Sequence, residues 1–267
     1  MSNYSNNNVV QVIAHPGHEI LVYHWLSLAN PSVWILTDGS GKSSQSRIPF
    51  TSKILKTQGA EPGELYGHFS DGIIYSKILA HDHYFFLLIA EKLYQYCINQ
   101  KVTTIVGDAA EGYNPTHDIC RLLINAVVKK IYCNHQLLIQ NYDFVLTENP
   151  NKKTDYHVLR FELNEVIYAQ KLEMARNYLP LFGEIESAIK HWGQEVFRVE
   201  CLRAVISEDI LPYYQLPFYE QYGEQQVRLG YYHEVIRYQQ HLVPLKQVLL
   251  NWSEENSRDK TTAHTNY

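Results

Sequence analysis

The chain is poor in cysteine, and none of its cysteines are close in sequence: Cys97, Cys120, Cys133 and Cys201 are far apart and form no Cys-x-x-Cys motif. That spacing excludes a zinc ribbon or a dithiol redox motif, leaving reduced, buried thiols as the expectation. Also missing is any apolar run near the roughly 18 residues that would cross a bilayer. The opening MSNYSNNN has neither the basic region nor the apolar segment of a signal peptide, so a cytoplasmic protein with no membrane span is expected. Charge is sparse, at 19% of residues, and its net value of -5 gives no basic excess for nucleic acid or an anionic membrane. Small molecules and sugars remain as ligands, and the composition leaves the oligomeric state open. What is abundant is apolar and aromatic: 45% of the 267 residues are hydrophobic, enough for a sizeable core, and 21 are tyrosines. Tyrosine's amphipathic ring suits a ligand groove as well as a core.

Short β-branched runs alternate with helical spacing. Val9 to Ala14 reads as a strand ending in His-Pro-Gly, and Glu19 to Ala29 follows with Ile20, Tyr23, His24 and Leu28 at helical intervals. Val33 to Leu36 is a second strand, closed by the Gly- and Ser-rich "TDGSGKSSQSR". One long helical segment is expected over Ile74 to Asn99, a third strand over Thr103 to Val106, a helix over Ile119 to Ile131, and a fourth strand over Phe144 to Leu146. Alternation of this kind implies an α/β fold with a mostly parallel sheet flanked by helices. Beyond Asn149 come two helices within Leu163 to Trp192, broken near Pro180 and Gly183, a strand over Phe197 to Val205, and a largely helical end. The expected organisation is a core over 1–148, a C-terminal helical and strand extension over 149–252 packing on it, and a disordered tail over 253–267.

In an open parallel sheet, ligands collect outside the carboxyl ends of the strands. The polar loops carrying His15 and His18, then Asp38, then Asp108 to Asp118 all leave strands at that edge, so they can meet. A catalytic zinc takes three protein ligands and keeps one open position, a number that His15, His18 and His117 would supply. Two histidines straddling Pro16 and Gly17 can face one way, with Gly17 leaving room for metal or substrate. The ordinary alternative is a set of loop histidines that cap a helix or pack on tyrosines.

The order "AHPGHE", "LTDGSG", Arg47, "FSDG" and "NPTHD", with "YEQYGE" and "YYHEVIRYQQH" near the end, resembles the PIG-L/LmbE-like zinc-dependent de-N-acetylases over most of the chain. The resemblance implies a Rossmann-like α/β fold, a Zn2+ cofactor and removal of acetyl groups from N-acetylglucosaminyl substrates or related amides. In that family the first motif is Ala-His-Pro-Asp-Asp-Glu, whose His and second Asp bind zinc and whose first Asp is the general base. The later motif is His-Pro-Asp-His, whose last His binds zinc and whose first assists the transition state. Carried over by position, His15 and His117 keep the first and last ligand places, and His18 replaces the ligating Asp. Gly17 stands where the base belongs and Asn114 where the assisting histidine belongs, so neither expected proton-transfer group is present.

Three readings follow from these residues. In the first, the protein is a zinc amidase acting on an amino-sugar-like small molecule. Three neutral imidazoles leave the metal more positive than a set with a carboxylate, and such a site can bring bound water to a pKa near 7. Asn114 can donate to a developing oxyanion, a role worth roughly 3 kcal/mol where such donors are removed. A substitute base can come from Asp38, Asp108, Glu111 or Asp118; Asp118, beside a helix start, is equally a cap. The second reading is a metal-binding protein that recognises a sugar or polyol without hydrolysing it. The third, a nucleotide-dependent enzyme using "DGSGKSS", lacks the full phosphate-loop spacing. Arg47 matches a family arginine that touches substrate, though a solvated surface role explains it too. Asp71 is a turn residue or a site residue, and Tyr219, Glu220 and Tyr222 either line the substrate groove or form a buried helix face. The "HDH" of His81 to His83 looks metal-like, but within one helix the first and third side chains diverge.

Overall fold

The computed structural model describes residues 8–149, 158–205 and 216–255. Its sheet has strands β1 (Asn8–Ile13), β2 (Ser32–Thr37), β3 (Glu61–Phe69), β4 (Val102–Asp108), β5 (Gln140–Phe144), β6 (Val158–Glu162) and β7 (Val199–Ala204), in the order β3-β2-β1-β4-β5-β7-β6. The first five are parallel neighbours, with Val12 opposite Trp34 on one side and Val10 opposite Ile105 on the other. β7 runs antiparallel to both β5 and β6. Strands of the C-terminal part thus extend the same sheet, and the mostly parallel α/β architecture is as the alternating pattern predicts.

Side chains on successive residues of the central strands go to opposite faces, which is why β1 and β2 read as near-continuous apolar runs. Val10, Val12, Trp34 and Leu36 enter one core with helices α4 (His83–Asn99), α5 (Pro115–His135) and α9 (Val243–Glu254). Val9, Ile13, Val33 and Ile35 enter the other, with α1 (Tyr23–Ala29), α2 (Ile48–Gln58), α6 (Glu165–Arg176) and α7 (Phe182–Trp192). Each such aliphatic side chain contributes about 1.5–3 kcal/mol on full burial. The exception on β1 is Gln11, fully buried, with neither amide atom partnered among the described residues. An unsatisfied buried amide costs about 1–3 kcal/mol. Gln11→Met, similar in volume, is therefore expected to raise stability in urea unfolding by about that amount.

Three expectations are corrected here. The segment 74–99 is two helices, α3 (Asp71–Leu79) and α4, because His81 takes a left-handed conformation at φ 51 and the Asp82 carboxylate accepts from the Phe85 N–H at 3.2 Å to start α4. "HDH" is therefore an interhelical turn, where the His81 ring stacks on that of His241. The fourth strand of the pattern lies earlier than Phe144 to Leu146, at β5, since Leu146 sits in the loop beyond it. Ser253 and Glu254, assigned to the tail, belong to α9; the tail from 256 onward lies outside the described residues. The sequence pattern also passes over β3 and α2. β3 contains Pro62, Gly63 and Gly67, residues that argue against a strand except at a sheet edge, and the edge is where it lies.

Candidate metal and active site

The chain crosses from the β2–β3 side of β1 to β4 on its other side, and the crevice at that switch point collects the ends of four strands. The Ala14 N–H donates to Asp108 Oδ2 at 2.7 Å, and the Thr37 N–H donates to the Ala14 carbonyl at 3.0 Å, tying the ends of β1, β4 and β2 together. β1 then turns sharply through Gly17, whose φ of 109 is open to glycine and strained for other residues. The fully buried Glu19 holds that turn: its carboxylate accepts from the Gly17 N–H at 2.7 Å and from the Thr51 hydroxyl at 2.7 Å. Burial pushes its pKa up, against the pull of those two donors.

His117 arrives from the other direction. Asn114 caps α5, its Oδ1 accepting from the Thr116 N–H at 2.8 Å, and Pro115 occupies the first turn. This places His117 in that turn, buried against the β1 loop. The imidazole centroids of His15, His18 and His117 lie 5.3, 5.0 and 4.7 Å apart pairwise. The three predicted histidines thus meet.

Carboxylates back two of them. His15 Nδ1 lies 2.7 Å from Thr37 Oγ1 and 2.9 Å from Asp71 Oδ1, and His18 Nδ1 lies 2.9 Å from Asp108 Oδ2. A carboxylate on one imidazole nitrogen fixes the ring and leaves the other nitrogen to bind a metal. His15 Nε2 and His117 Nδ1 are buried without a hydrogen-bond partner among the described residues. Burial draws both imidazoles below their ordinary pKa, His117 most strongly with His18, His15 and Arg47 adding to it, so both are neutral at pH 7 and retain a lone pair. Burial alone would raise Asp71, but the His15 imidazole and the Gly41 N–H outweigh it and hold this carboxyl well below the usual range. The residues therefore fit a metal in kind. Among the described residues, no group of three or more His, Cys, Asp or Glu side chains has metal-holding geometry.

The other predicted residues spread out. Asp71 is both a first-turn residue of α3 and a contact of His15, and its other oxygen accepts from the Gly41 N–H at 2.7 Å. Arg47 lines the cleft beside the histidines, with its Nε donating to the Gly39 carbonyl. Asp38 accepts from the Ser40 N–H at 2.9 Å in a local turn. Glu111 accepts from the N–H groups of Leu146 and Thr147, and Asp118 from that of Gly112. Among the four substitute bases, Asp108 alone has a described contact with a site histidine. Tyr219 is 6% exposed within the core and does not line the cleft. A Cβ on Gly17 would lie 2.2 Å from Leu181 Cδ1.

Glu19, Thr37 and Leu181 also shape the site. The first two stand inside the quoted "AHPGHE" and "LTDGSG"; nothing local marks Leu181, which reaches the site from a distant connection. The cleft over the histidines encloses about 760 Å³, and α7 forms one wall.

No family model matches this sequence, and no curated protein is significantly similar to it. Solved structures do share the fold. The A40926 pseudoaglycone deacetylase Dbv21 matches with TM-score 0.52 and 14% identity, over 77% of this chain and 99% of that one. A triple mutant of a deacetylase from the teicoplanin biosynthetic pathway, Orf2*T, gives 0.51 and 13%, over 76% and 100%. The conserved protein TT1542 from Thermus thermophilus gives 0.51 and 15%, over 78% and 99%. At these identities the likeness is one of fold, and the Rossmann-like α/β expectation is met at that level. Among the described residues no helix is long and apolar enough to cross a membrane.

Proposed function

We propose that the protein is a zinc-dependent hydrolase that removes an N-acyl group from an amino-sugar-like small molecule. The observation that carries this reading is the meeting of three imidazoles at the switch point, two of them backed by buried carboxylates. His15, His18 and His117 would hold the ion, which when bound polarises an amide carbonyl and acidifies water. Asp71 and Asp108 orient His15 and His18. The Arg47 guanidinium at the cleft wall meets the polar part of a substrate, and Asn114, at the N-terminus of α5, offers an amide donor. Gly17 provides backbone with no proton-transfer group.

The test is metal analysis of protein purified without added metal, followed by hydrolysis of a panel of N-acylated amino sugars. About one zinc per chain is expected, and His117→Ala should lose most of it, because two remaining ligands cannot close the shell. Unchanged metal content in His15→Ala, His18→Ala and His117→Ala would overturn the reading. Asp71→Asn keeps the size of the side chain and an acceptor for the Gly41 N–H but removes the charge behind His15. Zinc affinity in a competition titration is expected to fall about 10–100-fold.

A specific observation also favours metal binding without hydrolysis. The base position is a glycine with Leu181 packed over it, and Asp38, Asp108, Glu111 and Asp118 are all engaged in hydrogen bonds. Bound zinc and sugar with no turnover across the panel would establish that second reading.

A further inference from the structure

The cleft above the histidines carries both polar and apolar lining. Arg47, His18 and His117 line it beside Thr147, Glu184, Ser187 and His191, and Leu21, Leu146, Ala188, Trp192 and Phe197 supply its apolar wall. Past Leu21, Leu146, Ala188, Trp192 and Phe197, which line both spaces, it continues into a further cavity of about 70 Å³ bounded by Phe144, Val196 and Val199. At about 760 Å³ the main cleft is in the range that buries most of a drug-sized ligand. An acetyl group on a single sugar would leave unfilled the apolar end where the cleft meets that cavity, and the five side chains shared there offer almost nothing to a sugar hydroxyl. The aliphatic wall is continuous with the site histidines, so whatever fills it is attached to the group held at them.

From this we infer that the substrate's acyl group is a medium or long aliphatic chain, lying under α7 with its amide at His18 and His117. This rests on the hydrolase reading of the same site and specifies its substrate class. Such a chain gains affinity by leaving water, at about fourfold per fully buried methylene.

The experiment is calorimetric binding of acetyl, butanoyl, octanoyl and dodecanoyl glucosamine to the purified protein, beside an alkyl N-acetylglucosaminide series in which the chain sits on the sugar's other side. Affinity is expected to climb by up to about fourfold per methylene along the N-acyl series until the cleft is full, and to stay flat along the glycoside series. Ala188→Glu, which places a charge in the aliphatic wall on a helix with much exposed surface, should abolish the climb; Ala188→Phe, apolar but larger, should shorten the longest chain that still gains. Equal affinity across N-acyl lengths, or a climb confined to the alkyl glycosides, would overturn the assignment. Because binding is read without turnover, a protein that holds long N-acyl ligands but hydrolyses none would refute the hydrolase reading alone, whereas turnover of the acetyl compound with no dependence on length would refute the acyl assignment alone.

Discussion

Lys171→Met is expected to lower folding stability by about 3–5 kcal/mol, the cost of leaving a buried charge without its partner. Lys171 Nζ lies 2.8 Å from Glu200 Oε1, with both side chains at 1% exposure or less, and donates to the Leu21 carbonyl at 2.9 Å. Glu200 in turn accepts from the N–H groups of His24 and Trp25 at 2.8 and 2.9 Å, so it caps the start of α1 just after the histidine loop. Burial draws the Lys171 pKa down and Glu200 opposes the shift, consistent with an ion pair enclosed by the fold. Methionine preserves most of the volume and removes the charge, leaving Glu200 buried with backbone donors alone. Urea unfolding of the single variant should show the full loss. Lys171→Met with Glu200→Gln should recover part of it, because no net charge then remains buried while one oxygen still caps α1. A loss below about 1 kcal/mol in the single variant would mean that water reaches Glu200 and the pair is not sealed.

Gly17→Asp, which would put a carboxylate where the motifs that this sequence resembles carry one, is expected to destabilise the protein by about 2–4 kcal/mol and to add no hydrolysis. Two costs combine. A side chain at φ 109 is strained by about 1–3 kcal/mol, and its Cβ would fall 2.2 Å from Leu181 Cδ1, the free end of a half-buried side chain whose turning aside costs about 1 kcal/mol more. Pairing the change with Leu181→Ala removes the overlap and leaves the backbone strain, so the double variant should regain part of the lost stability. Thermal unfolding of Gly17→Asp, Leu181→Ala and the double variant separates the two terms, with turnover on one N-acyl glucosamine panel read alongside. A Gly17→Asp protein as stable as the native one and faster would show that the loop can re-form around a carboxylate.

Much of the local architecture was legible. The "AHPGHE" turn and the Asn114-Pro115 helix start are short-range signals: a glycine that frees the backbone, a cap and a proline that start a helix, and residues that follow within one turn. They put His15, His18 and His117 at strand and helix ends, and the switch-point rule for parallel sheets places those ends together. β3 and the break at His81 were not legible, for different reasons. β3 breaks the composition of a strand and is tolerated only because it lies at the sheet edge. His81 adopts a left-handed conformation that a helix-like apolar spacing does not reveal.

By itself, then, the sequence determined an α/β chain with a parallel run of short strands, and three histidines at their carboxyl edge, because strand period, caps and turn residues act over a few positions. Tertiary structure alone decided that β7 runs against its neighbours, that Asp108 stands behind His18 from 90 positions away, that Asp71 stands behind His15, and that Leu181 fills the space beside Gly17. Those are pairings between distant segments, set by how two cores close on the two faces of one sheet, and no local pattern of residues encodes which carboxylate or methyl group that closure brings to a given histidine or glycine.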